Sequence, residues 1–342
     1  MTRSKTKAST IRDVAREAGV SVATVSRYIN GTAPVSGEVA LRLDDVMASL
    51  RFVPSASARK LARLKTETLG LLLTDIHGDF FAPMMSGIES VTREAGYDLL
   101  ISSSGRPQPR SAFSLPLGPH NTDGVLVFAN SVDRAALEHY AEIGFPVVLI
   151  HQTAPEGLNL PCVTVENKSA SRLLVEHLIE KHNRRRIAFL KGPDDQEDSH
   201  WRELGYRQAL EINGITQDER LIVPGEFDRR VARRSVLDLI ATGPQFDAVF
   251  AGDDESAVGV LEALHESGIN VPEDVSVVGF DDQRLSAYLN PALTTVRAPT
   301  EEVGRAAARQ LLRLVEENSA EPLTLLPTEI VIRRSCGCGG ES

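Results

Sequence analysis

Residues 10–27 run Thr-Ile-Arg-Asp-Val-Ala-Arg-Glu-Ala-Gly-Val-Ser-Val-Ala-Thr-Val-Ser-Arg. Thr10, preceded by Ser9, can cap a helix over Ile11–Ala18, with Asp13 three residues on as the second half of a capping box. Gly19 ends that helix and Val20 turns inward. Ser21 caps a second helix from Val22 to Asn30, which Gly31 closes. Two short helices joined by a tight glycine-containing turn make a helix-turn-helix, whose second member can enter the major groove of a duplex. Ile11, Val14, Ala15, Val20, Val25 and Ile29 supply its small core, and a third helix is predicted from Ser36 through Leu50.

Beyond it, Phe52–Arg63 is rich in helix formers, with Pro54 and Ser55 at its start. A helix this short is marginal alone in water because nucleation is costly, so it needs a partner to form.

Charge divides at the same place. Of 37 Lys/Arg and 47 Asp/Glu, residues 1–66 hold 12 and 5, a balance of +7, which leaves 25 and 42, or -17, for the remainder. A basic head on an acidic body suits a nucleic-acid-binding module joined to a part that phosphate repels. A solvated basic arm has the same charge signature.

The 342 residues, 42% hydrophobic and 25% charged, fit a soluble globular protein of two or three domains. No run of about 18 apolar residues occurs, which excludes a membrane span. Met1–Ala8 is basic without an apolar core behind it, so nothing reads as a secretory signal, and the expected location is cytoplasmic. Three cysteines, Cys162, Cys336 and Cys338, are too few for a disulfide framework.

After Thr66 apolar strands alternate with amphipathic helices, the pattern of parallel sheets with crossover helices. Strands are predicted at Leu69–Asp75, Asp98–Ser102, Gly124–Phe128, Val147–His151, Arg186–Lys191, Ala248–Gly252 and Val275–Phe280. Helices are predicted at Met84–Ala95, Ala135–Ile143, Ala170–Lys181, Trp201–Asn213, Arg230–Ile240, Ala257–Ser267 and Glu301–Glu317. So many strands divide better into two doubly wound lobes, with ligands at the carboxyl ends of the strands in the cleft between them.

The stretch Thr10–Arg27 with Asn30-Gly31 resembles the headpiece of the LacI/GalR family of bacterial transcription regulators. The body resembles that family's regulatory domain, itself similar to periplasmic sugar-binding proteins. The matching pieces are Asp123-Gly-Val-Leu-Val, Arg186-Ile-Ala-Phe-Leu with Gly192-Pro193, Arg202-x-x-Gly-Tyr206, Asp253-Asp254, Val275–Asp282 and Pro291–Val296. The implied architecture is α/β: a small all-α helix-turn-helix headpiece (1–52), a hinge helix and linker (53–66), two periplasmic-binding-protein-like doubly wound parallel sheets (67–335), and a flexible tail (336–342). The resemblance places residues 67–168 and 291–326 in one lobe and 169–290 and 327–335 in the other.

Functionally, the resemblance implies a repressor that binds palindromic operator DNA as a homodimer and answers to a small-molecule effector, with no cofactor, metal or membrane involved. Base reading falls to Val22, Ala23 and Arg27. Arg27 can bond a guanine edge in a bidentate fork, whereas Val22 and Ala23 offer apolar contact such as with a thymine methyl. Thr10, Ser21, Thr24, Ser26 and Asn30 go to phosphates or caps, positioning rather than specifying. In the hinge, Leu61 matches the side chain that wedges between base steps, although ordinary core packing is the alternative, and Ala58 allows close approach. Arg59, Lys60 and Arg63 meet phosphates.

For the effector, the resemblance points to Phe80, Phe81, His151, Arg202, Phe227, Asp253 and Asp281. Gly252 stands where the family often has asparagine, which weakens the case for direct contact there. A flat aromatic beside carboxylates and one arginine, in a cleft not rich in cations, suits a neutral sugar or glycoside rather than a phosphorylated effector, since ring faces stack while hydroxyls pair. The competing roles are core packing for Phe80 and Phe227, a turn cap for Asp281, and a buried ion pair for Arg202.

Two segments depart from the family. Residues Arg106–His120 contain four prolines where a helix is usual, so an irregular wall and an altered dimer interface or effector response are expected. Cys336-Gly-Cys338 supplies two soft ligands where a structural zinc needs four, and without a neighbouring histidine it reads as a disordered tail. The tail lacks heptads, which argues for a dimer and against a larger coiled-coil assembly. Other functions, a sugar-binding module without regulation or a glycosidase using Asp194, Asp195, Glu197 and Asp198 or Asp253 and Asp254, find less support, since nothing enforces a catalytic geometry.

Overall fold

The computed structural model describes residues 9–30, 33–52, 65–76, 78–104, 111 and 115–339. The chain divides into two compact units, 1–67 and 68–342.

In the first unit, α1 (Ile11–Glu17), α2 (Val22–Asn30) and α3 (Gly37–Ser49) follow the predicted order. The capping box forms: the Asp13 amide donates to Thr10 Oγ1 and the Thr10 amide to Asp13 Oδ2 at 2.9 Å. Gly19 takes the left-handed conformation that the turn requires, at φ 66°. Ser21 Oγ accepts the Thr24 amide at 3.1 Å and so starts α2. Val14, Ala15, Ala18, Val25 and Leu43 are buried together, with Ile11, Val20 and Ile29 packed against them. Gly31, Ala58, Arg59, Lys60, Leu61 and Arg63 lie outside the described residues, so the predicted hinge is not addressed by the structure.

The second unit holds two six-stranded sheets. The first has the order β11-β5-β4-β3-β1-β2, built from β1 (Thr68–Leu73), β2 (Asp98–Ser103), β3 (Gly124–Phe128), β4 (Val147–Ile150), β5 (Cys162–Val165) and β11 (Leu323–Leu326), all parallel. The second has the order β12-β10-β9-β8-β6-β7, built from β6 (Ile187–Lys191), β7 (Ile222–Pro224), β8 (Ala248–Ala251), β9 (Ser276–Asp281), β10 (Thr294–Arg297) and an antiparallel edge, β12 (Glu329–Val331). Central strands such as β1 and β9 are buried along their whole length, because helices cover both faces. The helices are α4 (Phe81–Glu94), α5 (Arg134–Glu142), α6 (Lys168–His182), α7 (Glu197–Ile212), α8 (Arg229–Thr242), α9 (Asp254–Glu266) and α10 (Thr300–Glu317).

Three segments join the lobes: β5 to α6, β10 to α10, and β11 to β12. The second comes later than expected. Residues 291–297 stay in the second lobe, since β10 pairs with β9, and the chain returns to the first lobe only with α10. There Gly87 and Gly304 let α4 and α10 pack backbone to backbone, for a Cβ on Gly304 would sit 2.2 Å from the Met84 carbonyl oxygen.

In the proline-rich stretch the described residues, Ser111 and 115–120, carry no helix. Leu117 is buried against the sheet beside Gly70, and its carbonyl accepts the Tyr140 hydroxyl at 2.6 Å. The carboxyl-terminal expectation needs correction. Cys336 is fully buried, and Ser335 bonds to Thr294 and Val277, so the chain is anchored well past β12.

Candidate ligand cleft and nucleic-acid interface

On α2 the residues that leave the core open a polar and apolar face. Val22 is 43% exposed, and Ser21, Ala23 and Arg27 are exposed with it. Thr24 and Ser26 are half-buried beside them. An exposed valine one step after a helix cap is unsatisfied apolar surface, suited to a methyl group in a groove. Thr10 is exposed, its hydroxyl held by Asp13 at 2.7 Å. Tyr28 locks α2 to α3 through Asp44 at 2.7 Å.

In the second unit a cavity lies where the strand ends of the two lobes face each other. Phe80, Phe81, Phe128 and Thr74 line it from the first lobe; Gln196, Asp198, Arg202, Phe227, Asp253, Glu255, Asp281 and Gln283 line it from the second. The three phenylalanines of the first lobe meet edge to face, with centroids 5.2–6.1 Å apart.

Arg202 organises the opposite wall. It is almost fully buried on α7, donating from Nε to Asn167 Oδ1 at 2.9 Å and from a terminal nitrogen to the Gly252 carbonyl at 2.6 Å. Its other terminal nitrogen faces Asp281 at 3.3 Å and Asp198 at 3.8 Å. The guanidinium lies 3.8 Å from the centroid of Phe280 and 5.4 Å from that of Phe227. Arg202 is therefore both an ion-pair partner and a cavity-lining group. Gly252 contributes its carbonyl, and a Cβ there would meet the Leu190 carbonyl oxygen at 2.6 Å and the Phe227 ring at 3.2 Å. The ring of Phe227 fills the space that a larger residue at 252 would need.

Asp198 ties the lobes together. Its Oδ2 pairs with His151 Nδ1 of the first lobe at 2.8 Å, and its Oδ1 accepts from Asn167 at 2.8 Å. Nearby, Glu197 accepts the Thr153 amide at 2.6 Å, and Asn130 donates to the Asp195 carbonyl at 2.8 Å. His151 thus reaches the cavity through Asp198 rather than lining it. Its Nε2 is buried with no hydrogen-bond partner among the described residues.

Burial and mutual proximity give the carboxyl groups unequal proton affinities. Burial pushes Asp281 well above the ordinary range against the pull of Arg202, with Asp253, Asp254 and Asp198 adding to the rise. Asp198 goes the other way: burial raises it, but His151, Arg202 and Asn167 outweigh burial and lower it. Asp253, raised by burial, caps α9 through the Ser256 amide at 3.0 Å. Asp254 is pushed up to about 7 by burial and sits behind the cavity, accepting from Thr295 at 2.6 Å and from the Gln283 amide at 2.9 Å. Ser286 also donates to it.

Of the residues the sequence pointed to, Phe80, Phe81, Arg202, Phe227, Asp253 and Asp281 come together around this cavity. Sequence reasoning missed Asp198, named only among the carboxylates of a disfavoured glycosidase, and Phe128, placed only at the end of a strand. The signal for Asp198 was its spacing four residues before Arg202, which puts both on one helix face. Backbone strain also marks the site: His151 and Asp281, at strand ends, and Phe227, in the loop after β7, hold positive φ values of 58°, 110° and 52°.

Residues 10–55 match the family described as "Bacterial regulatory proteins, lacI family", and residues 175–336 match the periplasmic binding protein-like domain. The chain is 34% identical over 327 residues to the HTH-type transcriptional regulator GalR of Escherichia coli (strain K12), covering 95% of each chain. Among solved structures, the transcriptional regulator CelR-cellobiose complex is similar at 31% identity and a TM-score of 0.70, covering 96% of this chain and 99% of that one. The fold also matches a Lac repressor dimer bound to operator and the anti-inducer ONPF, with a TM-score of 0.79 over 96% of this chain and 99% of that one, at 24% identity.

Proposed function

Because the chain belongs to the lacI family of bacterial regulatory proteins, we propose that it is a cytoplasmic transcriptional repressor whose operator affinity is set by a neutral sugar bound between the two lobes. The observation that carries this reading is the exposed face of α2, where Val22, Ala23 and Arg27 point away from a core that keeps Val25 buried. Two copies of the chain bind a palindromic operator, each headpiece reading one half-site. Arg27 reads a guanine, while Thr10, Ser21, Thr24, Ser26 and Asn30 fix the register on phosphates. The hinge residues Ala58 and Leu61 engage the minor groove between them, while Arg59 and Lys60 meet phosphates.

In the cleft, Phe80 and Phe81, nearly perpendicular to each other, offer one ring face and one ring edge to the apolar side of the sugar while Arg202, Asp253 and Asp281 pair with hydroxyls. The cavity holds 160 Å³, below the roughly 300 Å³ of sites for drug-sized ligands, which favours a single ring. An effector that binds one arrangement of the lobes better than another shifts the operator-competent population through a coupling typically worth about 1–3 kcal/mol. An enzymatic role is disfavoured because Asp254, which a carboxylate pair with Asp253 would need, is held by three donors and does not line the cavity.

Gel-shift titrations against a symmetric operator test the reading. Arg27→Ala should reduce discrimination at one base position by about 1–3 kcal/mol, and Leu61→Ala should weaken specific binding while sparing non-specific binding. Unchanged operator binding in both variants would refute the DNA assignment. A thermal-shift screen of monosaccharides, disaccharides, sugar phosphates and purines tests the ligand class; stabilisation by a sugar phosphate or purine alone would overturn the neutral-sugar assignment.

A further inference from the structure

The end of the chain meets the end of α6. His177 lies on that helix and His182 closes it, followed by Asn183 in the left-handed conformation. Cys336 and Cys338 arrive from the carboxyl-terminal turn, more than 150 residues later in sequence. The donor atoms of all four lie within 4.8 Å of one another. Cys338 Sγ is 3.4 Å from His182 Nε2 and 3.7 Å from His177 Nε2. A tetrahedral zinc with Zn–S of about 2.3 Å and Zn–N of about 2.0–2.1 Å separates its sulfur and nitrogen ligands by about 3.5 Å. The two measured separations straddle that value. The sequence reading found no histidine near Cys336-Gly-Cys338, because the histidines that face it are neighbours only in the fold.

We propose that His177, His182, Cys336 and Cys338 form a structural zinc site that fastens the carboxyl terminus to α6. Three further features fit a metal better than a chance cluster. Cys336 is fully buried in a fixed frame: its carbonyl accepts from Ser276 at 2.7 Å and its Sγ accepts from Thr294 at 3.2 Å. A hydrogen bond of that kind to sulfur is what orients a metal thiolate. Gly337, at φ 110°, is the residue that lets the turn approach the ring, since a Cβ there would lie 3.0 Å from His182 Nδ1. An open groove bordered by Cys338, Gly339, Leu261 and Asn270 gives a path from solvent.

The chemistry balances without an oxidant. A zinc held here takes two imidazoles in their neutral form and two thiolates. Binding Zn²⁺ releases the two thiol protons to solvent, and the paired thiolates neutralise the ion. The clasp joins α6, which follows the first crossover between the lobes, to the segment that follows the last.

Untagged full-length protein, purified under reducing conditions, tests this by elemental analysis. One zinc per chain is expected, lost in Cys338→Ser and in His182→Gln with the circular dichroism unchanged, and kept in Cys162→Ser, which alters a cysteine outside the cluster. Co²⁺ added to metal-free protein should give intense tetrahedral d–d bands with thiolate charge transfer. Gly337→Ala keeps all four ligands and should weaken zinc about 10- to 100-fold by displacing His182. Protein that holds no zinc and takes up none, octahedral cobalt, a Cys336–Cys338 disulfide in freshly isolated reduced protein, or Cys338→Ser retaining stoichiometric zinc would each overturn the proposal.

Discussion

The two walls of the cleft are built on opposite principles. The first lobe presents mainly a cluster of phenylalanines, with Asp79 as the one carboxyl group it adds to the described lining, whereas the second presents one buried guanidinium among several carboxylates. The aromatic wall owes its shape to apolar packing and tolerates changes of ring contact. In the charged wall each member is held by another, so its members stand or fall together. Under the proposed sugar-binding function, contact with an apolar ring face would fall mainly to the first lobe and discrimination among hydroxyls mainly to the second.

The largest expected effect follows from removing the centre of the charged wall. Arg202→Ala leaves Asp198 and Asp281 buried without their cation and should cost roughly 3–5 kcal/mol in urea unfolding, along with sugar binding. A loss under about 1 kcal/mol would mean that the wall is not the interdependent unit described.

Behind the charged wall, Asp254 should add a response to pH. Asp254, with a folded value of about 7 against the ordinary 3.8, favours its neutral form. Its contribution is complete at acidic pH and is lost as pH rises towards and through about 7. Asp254→Asn keeps the side chain neutral, so thermal unfolding of the variant should lose up to one proton's worth of pH dependence across that range. An unaltered slope would show that Asp254 is ionised throughout.

Phe80→Ala is the mildest of these tests. It should weaken binding of any sugar found in the thermal screen by about 0.5–1.5 kcal/mol with little change in folding stability, read by calorimetric titration. A fall in stability comparable to that of Arg202→Ala would make Phe80 a core residue and erase the contrast between the walls.

Local signals were legible in the sequence and long-range ones were not. The headpiece announced itself through caps and glycines that act within four residues, as at Thr10-Asp13, Gly19 and Ser21. Strands β5, β7, β10, β11 and β12, of three or four residues each, carried too little periodicity to be read. Arg202 and Asp281 were found through resemblance. Asp198 was passed over because α7 begins at Glu197, four residues earlier than its apolar pattern suggested. The same limit hid His177 and His182, which have no sequence relation to the cysteines they face.

The bond from Glu197 to Thr153 has an optical consequence. Glu197 also accepts from the indole of Trp201 at 3.0 Å, and Trp201, 40% exposed, is the chain's single tryptophan. All indole emission therefore originates one side chain away from the seam between the lobes. A rearrangement that parted Thr153 from Glu197 would change the polarity around that fluorophore, so a shift of the intrinsic emission is the expected optical signature of the lobes moving apart.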